Sequence, residues 1–209
     1  MALFITFEGG EGSGKSVQSR ALYRRLSRLA IPAVLTHEPG GTSLGRKVAR
    51  WLKWEQGINI SPMAELLLFN ASRAQLVAEV IQPSLESGKV VICDRYADST
   101  VAYQSYGRGL DSAMVNAVNN AAIRGLTPDL TILLDMPVEA GLARKRDKKQ
   151  DRFEREDIAF HRRVREGYLK LAASEPQRWL VVDATQSKEK IVEIIWQKVS
   201  QLLSSPGKV

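Results

Sequence analysis

The chain has 209 residues, of which 44% are hydrophobic and 25% are charged, and this composition is typical of a globular domain with a full core. Its formal net charge of +7 favours anionic partners such as nucleotides or nucleic acid. No apolar run approaches the roughly 18 residues of a membrane-spanning helix, and the single cysteine excludes both an intramolecular disulfide and a cysteine-rich zinc site. We therefore expect one domain over residues 1–209, located in a reducing cytoplasm and not bound to a membrane.

The first predicted strand, Leu3–Glu8, leads into the segment GGEGSGKS, which matches the phosphate-loop pattern G-x-x-x-x-G-K-[ST]. Leucines recur at helical spacing after this loop and predict a helix over residues 17–30. Glycines let backbone N–H groups converge on phosphate oxygens, and the helix N-terminus adds partial positive charge. The residues expected to bind the phosphates of a nucleotide are Gly9, Gly10, Glu11, Gly12, Ser13, Gly14, Lys15 and Ser16. Lys15 is expected at the β- and γ-phosphates, and the Ser16 hydroxyl is expected to bind Mg²⁺.

Four more strands are predicted along the chain, because several of their apolar runs are almost continuous, as in strands buried on both faces of a sheet. They are Ala33–His37, Val90–Asp94, Leu130–Asp135 and Trp179–Asp183. Helical periodicity predicts helices over 43–54, 62–87, 111–125, 137–146, 156–173 and 187–203. The alternation predicts an α/β fold of three layers, in which helices flank a five-stranded parallel sheet. Ligands of such sheets bind beyond the carboxyl ends of the strands.

A buried strand ending in Asp94 is typical of a second Mg²⁺-binding position, where the carboxylate holds the ion directly or through water. Asp135, at the end of the next predicted strand, competes for this role on sequence alone. Arg95 follows Asp94 at once, and its guanidinium could bind a phosphate through two parallel hydrogen bonds. These residues therefore predict a metal and phosphate site at the edge of the sheet.

Phe69 and Arg73 are four residues apart in a predicted helix, so they share one face. An aromatic ring beside a guanidinium suits a flat base, which could stack on the ring and accept hydrogen bonds from the arginine. A core phenylalanine beside a surface arginine has the same spacing, so this pair alone does not decide between the two interpretations.

Six segments in order along nearly the whole chain resemble the thymidylate kinase family. They are FITFEGGEGSGKS, HEPGGTSLG, LLLFNASRAQ, VVICDRYADSTVAYQSYGRGL, PDLTILLDMPVEAGLARKR and DRFE. The resemblance implies transfer of a phosphoryl group from ATP to dTMP with Mg²⁺, in dTTP biosynthesis. It also implies the three-layer fold of P-loop kinases and a homodimer.

The resemblance also assigns roles at the acceptor site. Phe69 is expected to stack on thymine, Arg73 to donate to its O4, and Arg95 to hold phosphate between donor and acceptor. Tyr103 is expected to pack where a ribose 2′-hydroxyl would otherwise fit. Further contacts are expected from Glu11, at the sugar hydroxyl, and from Glu38, Pro39, Thr100 and Gln104.

In this family the catalytic arginine lies either in the phosphate loop or in the lid. The loop has no arginine or lysine before Lys15, so the chain resembles the bacterial type with a lid arginine. The lid is predicted over about residues 142–155, and Arg144 and Arg146 are the expected catalytic residues, while Arg152 is a further lid arginine.

One position departs from the family pattern. Thymidylate kinases commonly have an arginine seven residues after the threonine of P-G-G-T, and Ala49 stands there in this chain. Arg50 or Arg46 could substitute for it.

Three other functions would carry different signatures. A GTPase switch would carry D-x-x-G and N-K-x-D, and neither pattern occurs in the sequence. A kinase of another pyrimidine nucleoside monophosphate remains the alternative, and the set of Phe69, Arg73, Thr100 and Tyr103 favours dTMP. A basic ATPase that binds nucleic acid would show turnover stimulated by DNA, and we expect no nucleic-acid partner.

Overall fold

The computed structural model describes residues 2–55, 57–145 and 149–204 of the chain. At its centre is a sheet of five parallel strands in the order β2-β3-β1-β4-β5. The strands have the predicted bounds: β1 (Leu3–Glu8), β2 (Ala33–His37), β3 (Val90–Asp94), β4 (Leu130–Asp135) and β5 (Trp179–Asp183). The predicted fold class is therefore confirmed.

Most of the chain between and after the strands is helical. The α-helices of the described residues are α1 (Lys15–Arg28), α2 (Ser43–Trp54), α3 (Pro62–Leu76), α4 (Gln82–Glu86), α5 (Ala97–Thr100), α6 (Ser112–Ile123), α7 (Val138–Ala143), α8 (Ile158–Ser174) and α9 (Lys188–Ser204). Two π-helical segments, Val77–Ile81 and Val101–Gly107, connect α3 to α4 and extend α5.

Helices pack on both faces of the sheet, which gives the three predicted layers. Side chains alternate along β1, so Leu3, Ile5 and Phe7 join one buried cluster with residues of α1 and α9. Phe4 points to the opposite face and joins a cluster with residues of α3 and the first π-helical segment. All six residues of β1 are buried, which explains why four of them are large and apolar.

Helix starts follow the local chemistry of the sequence. The side chains of Thr42, Ser61, Asp111 and Asp157 each accept a hydrogen bond from a backbone N–H in the first turn of the following helix. These caps fix where α2, α3, α6 and α8 begin, and α2 and α3 in turn frame the site described below.

One helix was missing from the sequence prediction. Residues 97–107 form α5 and the second π-helical segment, and eight of these eleven residues are buried while the other three are half-buried. A helix that is enclosed on all sides has no polar stripe, so its sequence lacks the period that identifies a surface helix. The predicted helix over 137–146 is shorter in the structure, because α7 ends at Ala143, and residue 146 lies outside the described residues.

Candidate active site

The phosphate loop connects β1 to α1 and requires glycine at several positions. Gly9, Gly12 and Gly14 have φ values of 140°, 70° and 94°, in the region that favours glycine. A Cβ on Gly12 would lie 2.0 Å from the carbonyl oxygen of Gly141 in α7. Any larger residue at position 12 would therefore clash with the backbone of α7. The loop therefore has the glycine-dependent backbone shape that the motif predicts, and its binding of phosphate stays a prediction.

Lys15 is buried within this loop. Its ammonium group donates to the carbonyl oxygens of Gly9 at 2.9 Å and Gly10 at 2.7 Å, and lies 3.3 Å from Ser13 Oγ. Burial, followed by the neighbouring charge of Arg95, lowers the pKa of Lys15 to about 8. A lysine that is desolvated in this way interacts strongly with an incoming phosphate oxygen.

The two predicted Mg²⁺ ligands meet at the end of β3. The Ser16 hydroxyl donates a hydrogen bond to the Asp94 carboxylate, so two oxygen ligands stand side by side next to the loop. Hard oxygen ligands of this kind fit Mg²⁺, which binds few protein groups and keeps several waters. No group of three or more His, Cys, Asp or Glu side chains arranged for a metal occurs among the described residues. Asp135, the rival, instead accepts two hydrogen bonds from Arg165, at 2.7 and 2.8 Å.

Arg95 extends from the end of β3 back over the phosphate loop. Its backbone has a φ of 72°, which non-glycine residues adopt rarely and mostly at functional positions. Its guanidinium donates to Glu11 at 2.7 Å, Tyr103 at 3.1 Å, Ser99 and Tyr168 at 3.2 Å, and the Gly9 carbonyl at 3.3 Å. These bonds hold the planar cation in one orientation beside the loop.

Glu11 is held by the same network. One oxygen of its carboxylate accepts both from Arg95 and from the Tyr103 hydroxyl, each at 2.7 Å. Burial alone would raise the pKa of Glu11, but the charges of Arg95 and Lys15 outweigh it and hold the pKa well below the usual value. Glu11 is therefore an anion at neutral pH, and its predicted contact with a sugar hydroxyl stays a prediction.

All nine residues predicted to bind the acceptor line a single cavity next to the loop. They are Glu11, Glu38, Pro39, Phe69, Arg73, Arg95, Thr100, Tyr103 and Gln104. The cavity also has Lys53, Ser99, Asp151 and Phe153 in its wall. Thr100 Oγ1 and Glu38 Oε1 are buried and make no hydrogen bond within the described part of the chain. Buried polar atoms normally have a partner, so these two are available to a ligand in the cavity.

Arg73 lies deeper than its sequence position suggests. Its side chain is 1% exposed, and its guanidinium donates to Glu38 at 2.9 Å, Asn70 at 3.1 Å, Asn119 at 2.9 Å and the Tyr96 carbonyl at 3.2 Å. The predicted hydrogen bond to thymine O4 therefore requires Arg73 to share or give up one of these partners. That contact stays a prediction.

Sequence reasoning did not single out a buried carboxylate below this site. Glu8, the last residue of β1, accepts from Ser99 at 2.6 Å, from the Tyr96 amide at 2.8 Å and from the Tyr168 hydroxyl at 2.9 Å. Burial, with the nearby Asp98, raises its pKa to about 7. Because Ser99 and Tyr168 also bind Arg95, Glu8 positions that arginine indirectly. The only sign of Glu8 in the sequence was a charged residue at the end of a largely apolar strand.

The predicted lid residues lie in different places. Arg144 is close to the loop, where it donates to the carbonyl oxygens of Gly12 at 3.3 Å and Ala184 at 3.4 Å. Arg146 lies outside the described residues. Arg152 points elsewhere and forms an ion pair of 2.5 Å with the buried Glu65.

A second, larger cleft contains the phosphate loop and Arg144. Its wall also includes the loop after β5, at Ala184 and residues 186–188. Arg46 and Arg50, the possible substitutes for the arginine missing at Ala49, line neither cavity.

Comparison with known proteins gives one consistent result. The family model described as thymidylate kinase matches residues 7–195. A thymidylate kinase of Dehalococcoides mccartyi is 56% identical over 206 residues, which are 99% of this chain and 100% of that protein. One from Deinococcus radiodurans is 48% identical over 200 residues, covering 95% and 97%.

The fold agrees as well. The crystal structure of thymidylate kinase from Ehrlichia chaffeensis has 35% sequence identity and a TM-score of 0.75, with 96% of this chain and 98% of that chain covered. The resemblance predicted from the motifs is thereby confirmed: this chain belongs to the thymidylate kinase family.

Proposed function

We propose that this chain transfers the γ-phosphoryl group of ATP to the phosphate of dTMP and so produces dTDP. Membership of the thymidylate kinase family supports this activity. The observation that carries it is the meeting of the two cavities: the predicted acceptor cavity opens onto the cleft of the phosphate loop, and Glu11 and Arg95 line both. An acceptor phosphate at this junction would lie next to the donor phosphates.

The reaction needs no general base. A phosphate monoester has a second pKa of roughly 6, so the acceptor oxygen is already largely ionised at neutral pH. The barrier lies in bringing two polyanions together and stabilising charge on the equatorial oxygens of the transferring group. Lys15, in the phosphate loop, and Arg95, at the junction, supply fixed positive charge. The lid arginines are expected to add further positive charge.

Mg²⁺ fits the pair of Ser16 and Asp94, whose oxygens are adjacent at the loop. When bound, the ion would neutralise phosphate charge. The proposed lid, about residues 142–155, would exclude the water that otherwise hydrolyses ATP.

The lid arginines provide the first test of this mechanism. Arg144→Ala is expected to lower kcat about tenfold or more and to leave KM for dTMP nearly unchanged, because a charge that acts only in the transition state contributes little to binding. Arg146→Ala and the double variant complete the series, measured as ATP consumption at saturating dTMP. Arg155→Ala is the matched control, since Arg155 is an exposed lid arginine that lines neither cavity. Unchanged kcat in both single variants and in the pair would place the catalytic charge elsewhere.

The identity of the acceptor is tested by a panel of dTMP, dUMP, UMP, dCMP, AMP and GMP. We expect dTMP first and dUMP second, with UMP and dCMP far behind. An apolar pocket for the thymine methyl gives about 1–3 kcal/mol at most. Cytosine carries an amino group where thymine has O4, so the donor that we expect at this position, Arg73, would face another donor instead of an acceptor, which costs about 1–3 kcal/mol. A preference for UMP or dCMP would support the alternative, a kinase of another pyrimidine nucleotide.

Tyr103 is expected to select the deoxyribose. Its ring is held by edge contacts with Phe153 and Phe160, both with centroids at 6.0 Å, so we expect it to resist displacement by a 2′-hydroxyl. Tyr103→Ala should therefore raise kcat/KM for UMP relative to dTMP, whereas Tyr103→Phe keeps the ring and should keep the discrimination. If Tyr103→Ala rejected UMP as strongly as the unsubstituted enzyme does, packing by Tyr103 would not be the cause.

A homodimer is proposed from the family resemblance. Three exposed apolar side chains on α2, Leu44, Trp51 and Trp54, and one on α3, Leu67, are candidates for burial by a second copy. Light scattering during size-exclusion chromatography measures the mass directly, and a monomer at micromolar concentration would contradict the proposal.

The remaining expectations concern location and nucleic acid. Location in the cytoplasm stays a prediction, and the one cysteine, Cys93, is buried and free. Among the described residues, no helix combines the length and the apolar character needed to cross a membrane. The absence of a nucleic-acid partner also stays a prediction, and ATP turnover stimulated by added DNA would contradict it.

A further inference from the structure

The acceptor cavity and the phosphate-loop cleft share six residues. They are Glu11, Glu38, Pro39, Lys53, Arg95 and Asp151. If the base occupies the first cavity and the donor phosphates occupy the second, the phosphate of the acceptor has to lie at the junction that these residues form. A dianion placed there needs positive charge close by.

Only two of the six shared residues are cations, and they differ in how strongly they are already paired. Arg95 is bound by Glu11 at 2.7 Å and by four further oxygen acceptors. Lys53 has one ion-pair partner within the described part of the chain, Asp151, whose carboxylate oxygen lies 3.7 Å from Lys53 Nζ. That distance is too long for a good hydrogen bond, so the ammonium donors of Lys53 remain available to a stronger anion.

The position of Lys53 on α2 explains how it reaches the junction. Lys53 lies four residues after Ala49, so the two share one face of α2, and both are half-buried. Side chains in a helix lean toward its N-terminus, so a lysine at position 53 covers the surface next to residue 49. Arg50, in contrast, has a side chain that is 79% exposed.

The backbone around Lys53 is firmly anchored. The carbonyl oxygen of Lys53 accepts from the Arg152 amide at 3.1 Å, and that of Leu52 accepts from the Arg152 guanidinium at 2.9 Å. Asp151 precedes Arg152 directly and is also held in place, because its second carboxylate oxygen accepts from the amides of Phe153 at 2.9 Å and Glu154 at 3.0 Å. The backbone of Lys53 is therefore held in place, while its long side chain carries the ammonium group to the junction.

We propose that Lys53 binds the 5′-phosphate of the acceptor nucleotide, in the place of the arginine that the family pattern puts at position 49. This inference rests on the proposed function, since it presumes a nucleoside monophosphate as acceptor. A phosphate dianion carries about twice the charge of the Asp151 carboxylate and offers three oxygens, so it replaces Asp151 as the main partner of Lys53. Because this contact exists before transfer, it should contribute to binding more than to the chemical step.

The test compares ligands with and without the phosphate. Binding of dTMP and of thymidine is measured by calorimetry on the unsubstituted enzyme and on the variants Lys53→Met, Lys53→Arg and Arg50→Met. We expect Lys53→Met to weaken dTMP binding by about ten- to a hundredfold, the usual range for one hydrogen bond to a charged group, and to leave thymidine binding unchanged. Lys53→Arg keeps the charge and should retain most of the affinity. Arg50→Met, the matched control on the same helix, should change neither ligand.

Kinetics give an independent readout. Lys53→Met should raise KM for dTMP and leave KM for ATP and kcat close to the values of the unsubstituted enzyme. Unchanged dTMP affinity in Lys53→Met, an equal loss for dTMP and thymidine, or an equal loss in Lys53→Arg would each overturn the assignment. Failure of the proposed function looks different, because the unsubstituted enzyme itself would then fail to phosphorylate dTMP.

Discussion

Lys15→Ala is expected to lower kcat for dTMP phosphorylation on the order of 10³-fold or more, while the protein stays folded. The ammonium of Lys15 is buried in the phosphate loop, within 2.9 Å of the carbonyl oxygens of Gly9 and Gly10. Among the described residues, Arg95 also lies next to both the loop and the junction, but its guanidinium is already paired with Glu11. Without Lys15, charge on the transferring phosphoryl group would lose its central partner.

The fold should tolerate this substitution. The pKa of Lys15 is lowered to about 8, which means that its charged form is less stable in the folded protein than in water at neutral pH. Removing the charge therefore offsets part of the lost hydrogen bonds, and the melting temperature should change by only a few degrees.

The measurement is single-turnover transfer from ATP to dTMP, together with a thermal melt of each variant. Lys190→Ala is a suitable control, because Lys190 is an exposed lysine of α9 that lines neither cavity. Turnover near that of the unsubstituted enzyme in Lys15→Ala would refute the interpretation of GGEGSGKS as a phosphate loop.

Arg95→Lys is expected to lower kcat/KM for dTMP by about 10²–10³-fold, although the charge is kept. The guanidinium of Arg95 donates to five oxygen atoms at once, among them Glu11, Tyr103 and Tyr168. A lysine has three donors at a single point, so it can neither satisfy this network nor present two parallel N–H groups to a phosphate.

The control for Arg95→Lys uses a similar backbone. Arg124 also has a positive φ, of 53°, but its side chain is exposed at the end of α6. Arg124→Lys should leave kcat/KM unchanged, which separates the loss of the guanidinium from any effect of lysine on left-handed backbone. Equal activity of Arg95→Lys and the unsubstituted enzyme would show that Arg95 acts only as a point charge.

Local sequence patterns predicted much of the fold correctly. Strands buried on both faces require nearly continuous apolar runs, so β1 and the other four strands could be read with their bounds. Capping residues such as Thr42 and Asp157 stand where helices begin, because their side chains accept the first unpaired amides. The glycines of the phosphate loop identify it because only glycine tolerates its backbone angles and the close approach of α7.

Other parts of the site could not be predicted, since they depend on which distant segments meet. Glu8 and Tyr168 are 160 residues apart in the sequence and share a hydrogen bond of 2.9 Å, which no local pattern indicates. The choice between Asp94 and Asp135 as the Mg²⁺ ligand was open for the same reason, because each residue ends a buried strand. Only the packing of α8 against the sheet pairs Asp135 with Arg165.

The sequence by itself therefore determined the strands, the phosphate loop and the family, because backbone preference and hydrophobic period act over a few residues. The tertiary structure decided how the charges are paired. It buried Arg73 among Glu38, Asn70 and Asn119, and it brought Lys53 rather than Arg50 to the junction of the cavities. The physical reason is that the energy of a charge depends on its burial and on its partners, and both are set by the packing of elements far apart in the chain.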